Sequence, residues 1–118
     1  MRLSVVYSIK ISKYGLPKEI QVVATSWLIR VGVLKAILSR DPGEYVVYVR
    51  SYRSGKGIAK ILLQKINEIF QELAKTKKIA IQDIVTFLNE EAEMKLKKYY
   101  TQLGYIKKGK FLVKTFNP

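Results

Sequence analysis

Cysteine and histidine are both missing from the 118 residues. Their absence excludes disulfides, thiolate nucleophiles, cysteine or histidine zinc sites, and every histidine-based acid, base or metal ligand. Any chemistry falls to Tyr, Ser, Thr, Lys, Asp, Glu and backbone groups, with no metal. Acidic residues are scarce, nine against 22 Lys and Arg, for a formal net charge of +13. That excess favours an anionic partner such as nucleic acid, a phosphorylated cofactor or an acidic surface, beside general solubility. A chain rich in Lys, Ile and Tyr also leans thermophilic. No stretch reaches the ~20 apolar residues of a membrane span. The opening "MRLSVVYSIKISKYG" alternates too much for a secretory leader, so the cytoplasm is the expected location.

What is present is ordinary for a folded protein. With 48% apolar residues and neither repeat nor low-complexity linker, residues 1–118 are expected to form one domain. Leu3 to Ile11 alternates and is rich in Val, Ile and Tyr, which predicts a strand. Between Pro17 and Leu38 the spacing of Ile20, Val23, Trp27, Val31, Leu34 and Leu38 predicts a helix early in the segment and a strand late in it. "RDPGEY" is a turn. Tyr45 to Val49 reads as a central strand buried on both faces. Ile58, Leu62, Ile66, Ile69 and Leu73 mark one face of a long helix, with Lys60, Gln64, Asn67, Gln71 and Lys75 on the other. Ile79 to Leu88 predicts a further strand. Asn89 is placed to cap a second helix with Glu90, Glu91 and Glu93 in its first turn, and Gly104 to stop it. One or two closing strands run to Phe116. The order describes a mixed α/β domain, a central mixed sheet flanked by helices.

Two stretches carry chemistry. "YRSGKGIAKILLQ" places Gly55 and Gly57 between a strand and a helix, with Lys56 between them. Such a turn is either a plain connector or an anion site, where unpaired amides at a helix N-terminus face a phosphate. It is neither a Walker loop nor the dinucleotide GxGxxG, because Lys60 stands where the third glycine would be. The second stretch, "YYTQLGY", is a helix end, a glycine stop and an aromatic residue. Tyr100 there is either core or catalytic, and Tyr99 reads as packing.

Together, "VRSYRSGKGIAKILL" and "YYTQLGY" some forty residues later resemble the GNAT superfamily of acetyl-CoA-dependent N-acetyltransferases. Gly57, Ile58 and Ala59 match the second half of its Gln/Arg-x-x-Gly-x-Gly/Ala signature. Tyr100, Leu103, Gly104 and Tyr105 match its later aromatic-x-x-Leu-Gly-Phe/Tyr pattern. The likeness covers Tyr45 to about Leu112. It departs from the family at Ser54, which holds the leading Gln/Arg position while Arg53 falls one place early, and at Glu93, which replaces an asparagine. The first fifty residues are also too short for the family's full set of early elements, so one helix is expected to be missing or reduced.

The resemblance implies acetyl-CoA as co-substrate and a primary amine as acceptor, on a protein or a small molecule. The amides of Gly55, Lys56, Gly57, Ile58 and Ala59 would hold its pyrophosphate, helped by Arg53, Ser54 and the Lys56 charge. The strand edge at Tyr48 and Val49 would bond the pantetheine chain. The acceptor would attack the thioester directly and Tyr100 would protonate the departing thiolate. The apolar strand "YVVYV" holds no carboxylate to act as base, leaving Glu44 at its start and Asp83 on the next strand. A homodimer is compatible with all of this.

A rival reading is nucleic-acid binding without catalysis. "GKGIAK" after a strand, followed by "KIAIQDI", is similar to Alba-type archaeal chromatin proteins. Arg50, Arg53, Lys56, Lys60 and Lys65 would then contact phosphates, with Tyr48 and Tyr52 stacking. The helix expected before Gly104 exceeds that family's hairpin and favours the acetyltransferase. No helix combines an aromatic face with a lysine face as a membrane-surface protein needs. Lys107, Lys108, Lys110 and Lys114 read as a solvated hairpin, or as contacts for the cofactor's 3′-phosphate or an acidic acceptor.

Overall fold

A computed structural model describes residues 3–11, 15–52, 57–85 and 90–118, with only the backbone at 91–93 and 95. Arg53, Ser54, Gly55, Lys56 and the Asn89 cap lie outside the described residues. The elements are β1 (Ser4–Ile11), β2 (Pro17–Ser26), β3 (Ile29–Leu38), β4 (Glu44–Ser51), α1 (Ile58–Lys77), β5 (Ile81–Val85), α2 (Glu90–Gln102), β6 (Ile106–Lys108) and β7 (Phe111–Phe116). They build one seven-stranded sheet in the order β1-β2-β3-β4-β5-β7-β6. Only β4 and β5 pair in parallel; the other five ladders are antiparallel. No described helix is long and apolar enough to cross a membrane.

The helix expected early in Pro17–Leu38 does not form. That segment is the hairpin of β2 and β3, and its buried residues Ile20, Val22 and Ala24 recur at period two. The misleading spacing used Val23, which is on the sheet's other face, and Trp27, which is exposed at the turn. Trp27 and Leu28 form that two-residue turn with φ of 53° and 68°. A type I′ turn needs positive φ at both positions and normally carries Asn or Gly there. A Trp-Leu turn gives no such signal.

The core lies on one side of the sheet. Alternate residues Ile20, Val22, Ala24, Leu34, Ala36, Tyr45, Val47, Ile81, Val85, Leu112 and Phe116 are buried beneath α1. The intervening residues, from Gln21 and Val23 through Lys35, Val46 and Tyr48 to Ile84, Val113 and Thr115, are half-buried or exposed. The expectation that Tyr45–Val49 is buried on both faces is therefore corrected. Among the described residues no helix covers the far face.

Helix α1 buries Ile58, Leu62, Leu63, Ile66, Asn67, Phe70 and Ala74. This face is turned from the expected stripe, so Ile69 and Leu73 lie at its half-buried rim and Asn67 is inside. Each fully buried Leu, Ile or Phe contributes on the order of 1.5–3 kcal/mol. Phe70 stacks between Tyr45 and Phe116, with ring centroids 5.0 and 5.6 Å away. The Tyr45 hydroxyl donates to the Pro17 carbonyl at 2.7 Å, tying β4 to the start of β2. Lys78, at φ 55°, ends α1, and its N–H bonds the Ala74 carbonyl. Gly104, at φ 94°, follows α2 as the sequence predicts.

Candidate active site

Among the described residues the parallel pairing of β4 with β5 is short. β4 pairs with β3 from Tyr45 to Ser51, but with β5 only through Glu44–Gln82, Tyr45–Asp83 and Val46–Ile84. Beyond Val46, β4 has no described partner on that edge. Tyr48 and Val49 are in this stretch without a described partner. In open α/β sheets the crevice beyond the carboxyl ends of parallel strands is where ligands bind.

The start of α1 is at that same end. Gly57 occupies its N-cap at φ 67° with no side-chain cap, and the first turn holds no acidic residue. The positive end of the helix dipole is thus uncompensated by its own residues. A Cβ built on Gly57 meets nothing within 4 Å. The helix start is seated by a close approach to β3: a Cβ on Gly32 would fall 2.5 Å from Ile58 Cγ2. Ile58 is buried and Ala59 half-buried.

Tyr100, on the last turns of α2, is buried with 2% exposure, its ring 4.9 Å from that of Tyr105 in an edge-on contact. Burial, reinforced by the charge of Asp83, pushes its phenol well above the usual tyrosine range. The hydroxyl holds its proton at neutral pH, and the rise moves it further from a thiol's ~8.5. The two carboxylates separate. Glu44 is half-buried at the start of β4, seven residues or about 23 Å of strand from Ser51. Alternation points its side chain to the far face of the sheet. Asp83 points to the helix side and is fully buried.

A polar cluster surrounds Asp83. The Tyr105 hydroxyl donates to Asp83 Oδ2, and accepts from Asn67 Nδ2 at 3.0 Å. Asn67 Nδ2 also donates to the Leu63 carbonyl at 2.9 Å. Lys114 Nζ donates to Asn67 Oδ1 at 2.7 Å and to the Leu103 carbonyl. Asp83 Oδ1 is buried with no hydrogen-bond partner among the described residues. Burial raises the Asp83 carboxyl to about 7, against the opposing pull of the Tyr105 hydrogen bond and the Lys114 charge. Burial likewise lowers Lys114, and Asp83 offsets it.

From sequence, Asn67 is expected on the solvated side of α1, and Lys114 in a solvated hairpin or in contact with the cofactor's 3′-phosphate or an acidic acceptor. Asn67 was findable, because it stands four residues after Leu63 in the buried row. Lys114 was findable from β7 alternation, which aligns it with Leu112 and Phe116. Among the described residues no group of three His, Cys, Asp or Glu could hold a metal ion.

No protein-family model and no curated protein sequence matches the chain. Solved structures do. YhhK of E. coli, determined in solution with coenzyme A bound, superposes with a TM-score of 0.66 at 12% identity, over 97% of this chain and 98% of that one. An aminoglycoside 6′-N-acetyltransferase complexed with coenzyme A gives 0.63 at 16% identity, over 86% of this chain and 75% of its own. A GNAT-family acetyltransferase from Streptococcus pneumoniae gives 0.64 at 13% identity, over 85% and 68%. The protein has the GNAT acetyltransferase fold, with two helices and seven strands among the described residues.

Proposed function

We propose that the protein is an acetyl-CoA-dependent N-acetyltransferase, acting as a single domain on a primary amine. The observation that supports this reading most is the short described ladder between β4 and β5 beside the start of α1, where no side chain caps the helix at Gly57. Gly57, Ile58 and Ala59, with Arg53, Ser54, Gly55 and Lys56 before them, hold the pyrophosphate. The free edge at Tyr48 and Val49 holds the pantetheine chain. The amine nitrogen attacks the thioester carbonyl and gives up a proton to a base, the carbon–sulfur bond breaks, and Tyr100 gives its proton to the thiolate and regains one from solvent. Of the two candidate bases, Asp83 has the acid–base balance for neutral pH. Glu44 has the more open position. Coenzyme A bound to proteins of the same fold supports the choice of cofactor.

The test compares Gly57→Asn with Gly57→Asp by calorimetric titration with acetyl-CoA. Both residues tolerate positive φ better than other side chains, so their folding costs are alike. They differ by one negative charge at the helix start. Asn should retain micromolar binding, and Asp should lose at least about tenfold, the effect of placing a carboxylate against a phosphate. Equal affinities would remove the pyrophosphate from this turn.

Tyr100→Phe tests the acid. Loss of a general acid costs roughly 10²–10⁴ in rate, so kcat should fall at least about a hundredfold with KM for acetyl-CoA little changed. A variant with unaltered kcat assigns Tyr100 to the core alone.

A further inference from the structure

We infer that the helix-free face of the sheet is a binding platform for single-stranded nucleic acid, a property independent of the cofactor reading. Its active end is built by Arg30, Lys35 and Arg50 with the exposed rings of Tyr48 and Tyr52. Register places them together. Lys35 is directly opposite Tyr48, Val33 opposite Arg50, and Arg30 opposite Thr25 on the same side of the sheet. Tyr48 and Tyr52 are 57% and 48% exposed, and the Arg50 guanidinium is 5.2 Å from the Tyr52 ring centroid.

The charge on this face is polarised along the strands. Its acids, Glu19 and Glu44, are at the opposite end, where Glu19 is bridged to Lys10 at 3.0 Å. The Lys10 hydrogen bond holds the Glu19 carboxyl below its usual range, with a smaller pull from Lys35. The rival sequence reading grouped Arg50 with Lys60 and Lys65. The structure divides that set, because Lys60 and Lys65 are on α1, across the sheet, with Lys65 over the Tyr7 ring.

An acidic polypeptide would use the cations and leave both phenol rings idle. A nucleic acid strand supplies anions and flat π-faces in alternation, and the platform offers their complements in alternation. Tyr48 and Tyr52 are about 13 Å apart along the strand, with Arg50 between them. One base stacks on each ring and the intervening phosphate meets the guanidinium. A duplex hides its base faces, and among the described residues no helix rises from this face to enter a groove. The target is therefore a single strand.

Fluorescence anisotropy with a labelled twelve-residue thymidylate strand tests the proposal, using a duplex of equal length and polyglutamate as competitors. The single strand should bind at least about tenfold tighter than the duplex. Arg30→Glu with Arg50→Glu should weaken it about tenfold or more and flatten the slope of log affinity against log salt by about 1.4, two contacts at ~0.7 each. Tyr48→Leu and Tyr52→Leu should each lower affinity about tenfold at high salt and leave the slope unchanged. Preference for the duplex overturns the proposal, as does displacement by polyglutamate as effective as by unlabelled strand. So does a loss confined to a Lys107→Glu, Lys108→Glu, Lys110→Glu variant, which would put binding on the β6–β7 hairpin.

Discussion

Asp83→Asn is expected to make the protein more stable at neutral and alkaline pH and nearly indifferent to pH between 4 and 7. The wild-type carboxyl is raised from 3.8 to about 7 by burial, so the folded state holds its proton more tightly than the unfolded chain does. A raised acid is neutral and harmless below the unfolded value of 3.8. Stability then falls as pH rises from about 4 to 7, where the unfolded carboxyl ionises freely and the buried one resists. Above 7 the penalty is complete and constant. Three pKa units correspond to on the order of 4 kcal/mol. Asparagine keeps an acceptor for the Tyr105 hydroxyl and cannot ionise. Thermal melts at pH 4.5 and pH 8 measure the effect: the wild-type Tm should drop between them and the variant's should stay nearly level. A variant less stable than wild type at pH 8 would mean that a charged Asp83 is held by Lys114 as an ion pair. The cluster would then be a stabilising element, not a tolerated strain.

Gly43→Ala is expected to cost about 3 kcal/mol, against about 1 kcal/mol for Gly109→Ala. Both glycines have positive φ, 80° and 61°. A Cβ on Gly109 meets nothing within 4 Å, whereas one on Gly43 would be 2.5 Å from the carbonyl oxygen of Ala80. That oxygen is backbone and cannot swing aside as a side chain would. The Gly43 carbonyl also accepts the Gln82 N–H at 2.7 Å, so moving the turn disturbs the first contact of the parallel ladder. A loss of 3 kcal/mol lowers Tm by roughly 10 °C in a domain of this size. Melts of both variants beside wild type read the difference. Equal losses would show that positive φ alone accounts for the cost.

The "DPGE" turn itself was legible. Pro42 and Gly43 occupy the second and third positions of a turn closed by the Glu44 N–H to the Asp41 carbonyl at 3.2 Å, as the residue types demand. The closeness of Ala80 was not, because it depends on a residue 37 positions away. The same division runs through the molecule. Helix α1, the Gly104 stop and the Gly57 turn are set by local periodicity and backbone freedom, and each emerged where expected. β2 was misread, because its apolar residues fall on both faces and its turn uses Trp27 and Leu28 against their conformational preference. The Asp83 cluster depends on four elements meeting, and only alternation in β5 and β7 hinted at it. The motif around Tyr100 was readable as a pattern. Its depth in the core came from Tyr105 folding back over β5, which no local rule specifies.

The three-pair ladder between β4 and β5 also has a meaning for how the molecule comes apart. It is the seam between a four-stranded meander, whose ladders are all local in sequence, and a three-stranded unit that joins only after α1 has crossed. Local ladders close at small entropic cost, so the meander can assemble first and outlast the rest on opening. The β5–β7 unit is then the weaker partner, held by α1 and by three residue pairs. Opening of that seam exposes amides in β5 and β7 to exchange while β2 and β3 stay protected.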